Sequence, residues 1–389
     1  MDFDTPVSGF GRHTQRWDDM DPLRGVAGTD ALPMFVADME FRAAPCILDA
    51  LRNEIEFGYM GYFGNPAPVA EAVSHWMETR HGWSFSPDCV QFTHGVVQGF
   101  ARVIEMATEP GDGVILFTPV YHSFRKKIPA KGRTLVESPM VLRDGRYEMD
   151  LEGLAEVLTG REKVLTLISP HNPGGRIWSA EELRAVADFC VAHDLILISD
   201  EIHMDLTFPG AKHIPTSVAA PHVKDRLITI TAASKAFNIA GGETGLAIIE
   251  DAALLERFKA AQKAYGGTPN RFGMIMTKAA FTDGADWLHA AQAYIAENFR
   301  IWRERMNALP GVSVMDMQAT YLTWVDFSGT GMSHDELLRR IQQEAKIAVS
   351  PGPDFGPDGE GYQRFNIAMS RGNLTRAADR LDAAFADLQ

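Results

Sequence analysis

Arg226-Leu227-Ile228-Thr229-Ile230-Thr231-Ala232-Ala233-Ser234-Lys235-Ala236-Phe237-Asn238 is the stretch whose reading decides the fold of this chain. Residues 226–231 are apolar and β-branched, which predicts a short buried strand. Ligands collect at strand ends in open α/β sheets, and this strand hands its chain to a lysine just before the Gly241-Gly242 turn. A lysine placed there has a poor solvent shell. Desolvation disfavours its charged form and frees the amine to condense with a carbonyl. Lys235 is therefore a candidate covalent catalyst, although a lysine after a strand commonly just reaches water.

The segments upstream repeat the pattern. Residues 195–199 are apolar and end at Asp200-Glu201-Ile202-His203-Met204-Asp205. An aspartate at that point costs desolvation energy unless it meets a cation or several donors, so Asp200 either caps the next turn or faces a cationic ring. Residues 163–169 predict a strand delivering Pro170-His171-Asn172-Pro173-Gly174-Gly175, where the following proline keeps Asn172 out of helical geometry and displays its amide on a loop. Residues 113–118 lead to Tyr121, which either stacks on a planar ring or caps the core. Residues 89–93 run into His94-Gly95-Val96-Val97-Gln98-Gly99, the start of a helix. A glycine turn opening a helix offers free N–H groups and a favourable dipole to an anion such as phosphate, or needs glycine for steric reasons alone. Its glycine spacing is not that of a dinucleotide fingerprint, and no Walker-type loop occurs.

Strands alternating with helices over 45–285 predict an α/β fold with a mostly parallel sheet covered on both faces. Residues 1–44 read as an extended arm. Gly58-Tyr59-Met60-Gly61-Tyr62-Phe63-Gly64-Asn65-Pro66 is either a loop that approaches a ligand or a second subunit, or an ordinary helix-ending loop with surface aromatics. Beyond 285 the pattern changes to a long helix, short strands and two further helices, a smaller α+β unit. The expected division is an arm at 1–44 that also forms part of the small domain, a large domain at 45–285 and a small C-terminal domain at 286–389. Within the last, Arg364 and Arg371 are candidates for a substrate carboxylate, which guanidinium binds bidentately, unless they form surface ion pairs.

With 389 residues, of which 46% are hydrophobic, the chain can bury a large core. A net charge of −14 argues against nucleic acid or an anionic membrane as partner. The three cysteines Cys46, Cys89 and Cys190 are widely spaced, which suggests neither a disulfide framework nor a metal site. The acidic start has no basic segment followed by an apolar core, and no apolar run is long enough to span a bilayer. The expected location is the cytoplasm.

Asn172-Pro173-Gly174-Gly175, Ser199-Asp200-Glu201-Ile202-His203-Met204-Asp205 and Ser234-Lys235-Ala236-Phe237-Asn238-Ile239-Ala240-Gly241, in this order, resemble fold-type I enzymes dependent on pyridoxal 5′-phosphate. Within these the chain is similar to the aminotransferase class I/II group and its cystathionine β-lyase-like MalY/PatB family, over almost its whole length. Arg16-Trp17-Asp18 and Ala37-Asp38-Met39-Glu40 look like that family too. The resemblance implies that Lys235 carries the cofactor as an aldimine and then moves the substrate Cα proton, and that Asp200 pairs with the pyridinium nitrogen. It implies Asn172 and His203 at the ring hydroxyl and Tyr121 stacked on the ring. Val96, Val97, Ser234 and a partner subunit's Tyr62 would hold the phosphate, which makes the protein a homodimer. Arg364, Tyr121 and Asp38 would meet the substrate. Two positions depart from the broader pattern: Glu243 stands where relatives place an arginine for the phosphate, and Ala232 where many have serine. Thr231, or the loop from Thr268 to Arg271, is expected to compensate, unless Glu243 turns away.

The leading expectation is a carbon–sulfur β-lyase that cleaves cystathionine or related cysteine S-conjugates to pyruvate, ammonia and a thiol. An aminotransferase with a 2-oxo acid acceptor uses the same residues, and no residue type separates the two. A catalytically silent regulator would not need all these groups, and the chain has no appended DNA-binding segment.

Overall fold

The computed structural model describes residues 1–266 and 269–388. Its centre is a seven-stranded sheet of β1 (Val90–Thr93), β2 (Gly113–Thr118), β3 (Thr134–Pro139), β4 (Glu162–Ile168), β5 (Ile196–Asp200), β6 (Leu227–Thr231) and β7 (Gly245–Ile248), in spatial order β1-β7-β6-β5-β4-β2-β3. All run parallel except β7, which is antiparallel to both neighbours. The expected mostly parallel α/β sheet is therefore present, with one reversed strand.

Alternation along the strands sends their side chains to two cores. Val114, Leu116, Ile198, Ile228 and Ile230 pack with Phe100, Val103 and Ile104 of the helix Val96–Ala107. Ile115, Leu165, Leu197 and Leu227 face the other way, against Leu183, Val186 and Cys190 of the helix Ala180–Ala192. That helix begins at the expected capping signal, with Ser179 and Glu182 forming a reciprocal box. Cys190 is thus a core residue, and its thiol is pushed up to about 12 by burial.

The C-terminal part contributes a second, four-stranded sheet that includes Leu322–Asp326, Ser350–Pro351 and Tyr362–Asn366. Arg364 sits in the middle of the last strand, opposite Trp324 on one side and Ser350 on the other. The N-terminal arm runs beside this sheet. Asn366 Nδ2 donates to the carbonyls of Val36 and Asp38, and Asn366 N donates to Met34 O at 2.8 Å. These bonds hold the arm against the second sheet, and Lys235, just beyond β6, bonds to its Ala37 carbonyl at the edge of the large sheet.

Candidate active site

Because six of the seven strands run parallel, β1, β2, β4, β5 and β6 all release their chains at one edge. A cavity of about 350 Å3 lies there, lined by Val96, Val97, Tyr121, Asn172, Asp200, His203, Ser234 and Lys235. Eight of the residues singled out from sequence therefore share one space, at the edge where an open parallel sheet places its ligand.

Lys235 follows β6 in the short helix Ala233–Ala236. Its Nζ donates to the carbonyl of Ala37 at 2.7 Å, an acceptor the arm supplies. Burial lowers this amine to about 8, against the opposing pull of Asp38 and Asp200. Asp200, the last residue of β5, is 3% exposed. Burial raises its carboxyl to about 7, while Oδ1 accepts one hydrogen bond, from Ile202 N at 3.1 Å. Two groups of opposite ordinary charge are thus both pushed toward neutrality in one cavity. Such perturbed pairs concentrate at functional sites. His203, lowered to about 3 by burial, is a neutral imidazole, and its buried Nδ1 has no partner among the described residues.

The anion end is built by close approach. Gly95 has φ 78°, a conformation that favours glycine, and the helix beginning at Val96 has no side-chain cap. Gly245 opens β7 directly against it: a Cβ there would lie 2.5 Å from the Gly95 carbonyl carbon. Glu243 and Thr244 join the lining on the same side.

A second cavity of about 450 Å3 shares Ala37, Tyr121 and Lys235 with the first and contains Arg364. The Arg364 guanidinium is fully enclosed. Nη1 donates to Asn172 Oδ1 at 3.2 Å, and Nη2 donates to Phe35 O at 2.9 Å and Ser350 Oγ at 3.2 Å. Its buried Nε has no partner among the described residues, and the group lies 4.8 Å over the Phe355 ring.

Several expectations need correction. Asp38 lines neither cavity: its carboxylate accepts from Arg16 Nη1 at 2.9 Å and acts on Lys235 only through its charge. Arg371 lies over the Tyr294 ring at 4.5 Å and donates to Asn298, away from both cavities, as the first residue of the helix Arg371–Ala384, which Ser370 caps. Apart from these corrections, Tyr62, expected to serve a partner subunit's site, is 88% exposed and off its own chain's cavity. The compensation expected for Glu243 is not built by Thr231, whose hydroxyl donates to Glu201 O, nor by Arg271, which pairs with Glu54 at 2.6 Å. Thr268 lies outside the described residues. Glu243 itself stays on the cavity wall, in a left-handed turn with φ 43°.

Sequence reasoning missed Ala37, Phe35 and Ser350, which act through carbonyls and a hydroxyl that carry no motif. It also missed the buried Glu201 network behind Asp200. Burial works to raise the Glu201 carboxyl, but His213 Nε2 at 2.8 Å, Thr216 N and Ser199 Oγ bring it below the ordinary range.

Fold and site together define a protein of the aminotransferase class I and II family. The chain belongs to it: residues 39–381 match that family. Among curated relatives, cystathionine beta-lyase PatB of Bacillus subtilis (strain 168) is 37% identical, covering 99% of this chain and 100% of the relative. Protein MalY of Escherichia coli (strain K12) is 32% identical over 97% and 96%. Among solved structures, cystalysin from Treponema denticola, described as containing a pyridoxal 5′-phosphate cofactor, superposes with a TM-score of 0.96 at 33% identity, covering 100% of this chain and 99% of that one.

The cavity fits pyridoxal phosphate on this chain's own features. It offers uncapped helix N–H groups for a phosphate, a buried carboxyl for a ring nitrogen, the unpartnered His203 Nδ1 for a ring hydroxyl and an amine with a lowered pKa for an aldehyde.

Proposed function

We propose that this protein is a pyridoxal-phosphate-dependent carbon–sulfur β-lyase that converts cystathionine or a related cysteine S-conjugate, with one water, to pyruvate, ammonia and a thiol. The observation that carries the reading is the meeting of Lys235 and Asp200, both shifted toward neutrality by burial, in a cavity with a helix N-terminus on its wall and Arg364 next door. The names of the relatives above agree with it.

Val96 and Val97 N–H groups and Ser234 would hold the phosphate. Asp200 would be ionised by a cationic ring nitrogen and keep it protonated. Asn172 and His203 would meet the ring hydroxyl, and Tyr121 would pack on the ring face. Bound there, the cofactor supplies a sink for the electron pair left when the substrate Cα loses its proton. Arg364 would clamp the substrate carboxylate and so orient the Cα–H bond. Lys235 would take that proton: an amine near pKa 8 is neutral in part at neutral pH and can return the proton to the departing thiolate. The Asn172–Arg364 hydrogen bond couples ring orientation to carboxylate binding.

Phe57, Tyr59, Met60 and Tyr62 are all more than half exposed around the Gly58 turn. We read this apolar patch as covered by a second copy of the chain, so that each subunit's Tyr62 reaches its partner's phosphate. The working division is an arm at 1–44, a large domain at 45–285 and a small one at 286–389. Among the described residues no helix is long and apolar enough to cross a membrane. We place the protein in the cytoplasm.

The test is purified protein with pyridoxal phosphate and L-cystathionine, without any keto acid. Stoichiometric pyruvate and thiol over many turnovers are expected. Amino-group transfer that requires 2-oxoglutarate or pyruvate, without elimination, would overturn the reading in favour of an aminotransferase.

A further inference from the structure

The second cavity is larger than a substrate carboxylate requires. Beyond Arg364 its wall carries Arg24, Lys126, Asp354 and His122. Arg24 Nη1 donates to Asp354 Oδ2 at 3.1 Å, and the guanidinium lies 5.5 Å over the Phe35 ring. That pairing fixes the plane of the group and leaves Nε buried with no partner among the described residues. Lys126, on the outer side of the helix His122–Ala130, is exposed and forms no ion pair among those residues. Burial and the nearby Arg364 lower His122 to about 4, so it carries no charge at neutral pH. Two cations against one carboxylate leave this outer chamber with one positive charge in excess, on a chain whose net charge is −14.

We propose that this chamber receives the sulfur substituent of the substrate and selects one that ends in a carboxylate, bound between Arg24 and Lys126. The inference rests on the β-lyase reading and names the substrate class within it. Asp354 acts as a positioning residue: it holds the Arg24 fork and keeps a second anion from approaching on its own side. An uncharged substituent would enter the chamber but leave Arg24 and Lys126 with only Asp354 to balance them, an excess of positive charge that a carboxylate removes through charge-assisted hydrogen bonds. Phe35 and Leu23 line the passage and suit the methylene chain between sulfur and carboxylate.

The test compares two S-conjugates of nearly equal shape, S-(2-carboxyethyl)-L-cysteine and S-(2-carbamoylethyl)-L-cysteine, by pyruvate release from the holoenzyme. The acid is expected to be preferred about tenfold in kcat/KM, mainly through KM, as one charge-assisted hydrogen bond predicts. Raising the salt concentration should reduce that preference, since Lys126 is exposed. Lys126→Gln should shrink the acid-to-amide ratio, and adding Arg24→Gln should bring it close to one. A wild-type ratio near one, or a ratio unmoved in the double variant, would overturn the proposal while pyruvate formation left the lyase reading standing. No pyruvate from either conjugate would retire both.

Discussion

Replacing Asp200 by asparagine should make the cofactor-free protein gain stability relative to wild type as the pH rises. The carboxyl is lifted from 3.8 to about 7 by burial, which corresponds to about 4 kcal/mol favouring its neutral form in the folded chain. Between these two values the folded state keeps the proton and the unfolded state releases it. The folded state then binds more protons, so wild-type stability falls with rising pH through this window and levels off above about 7. Asparagine does not titrate, and its Oδ1 can still accept from Ile202 N. Its extra N–H donors add an offset that does not depend on pH. Urea melts of both cofactor-free proteins at pH 4.5 and pH 8 should show the variant's relative stability rising by about 3 kcal/mol between the two. With pyridoxal phosphate the order should turn against the variant, because it cannot counter a cationic ring nitrogen. A wild-type-minus-variant difference that is the same at both pH values would refute the assignment of a buried, unpaired carboxyl.

Three further outcomes test the site. Lys235→Ala should abolish both turnover and the absorbance shift that marks cofactor bound covalently to the lysine. In the cofactor-free wild type, trapping of a small aldehyde by borohydride should rise with an apparent pKa near 8 and disappear in that variant; wild-type-like turnover in the variant would reject the covalent role. Arg364→Lys cannot reproduce three hydrogen bonds from a planar fork, so KM for cysteine S-conjugates should rise about 10- to 100-fold with a smaller change in kcat, measured by pyruvate release. Tyr62→Phe should weaken pyridoxal phosphate binding about tenfold in a titration of the cofactor-free protein, as loss of one hydrogen bond to a charged group predicts. Unchanged affinity would reject the contact across subunits.

The main sheet was legible because its strands are short apolar runs whose alternating residues must fill two cores, and because the residues after those runs are polar where solvent-exposed strand ends would not require it. Lys235, Asp200, Asn172 and Tyr121 each follow such a run, so a parallel sheet alone brings them to one edge. Local sequence also set Gly95, since its positive φ is a conformation that favours glycine and, with no side chain there, the N–H groups of the next helix face the cavity. What a side chain touches across long sequence separation carries no local signal, and that is where the structure decided. Arg364 and Arg371 look alike in sequence; one is enclosed between the arm and the second sheet, and the other stacks on Tyr294 at a helix start. Asp38 sits next to Ala37, yet it is the Ala37 carbonyl that holds the Lys235 amine, because the arm's backbone crosses the sheet edge with Asp38 turned to Arg16. The shift of Lys235 and Asp200 toward neutrality follows from that enclosure: residue type sets the chemistry available, and desolvation by distant segments moves the balance between its protonation states.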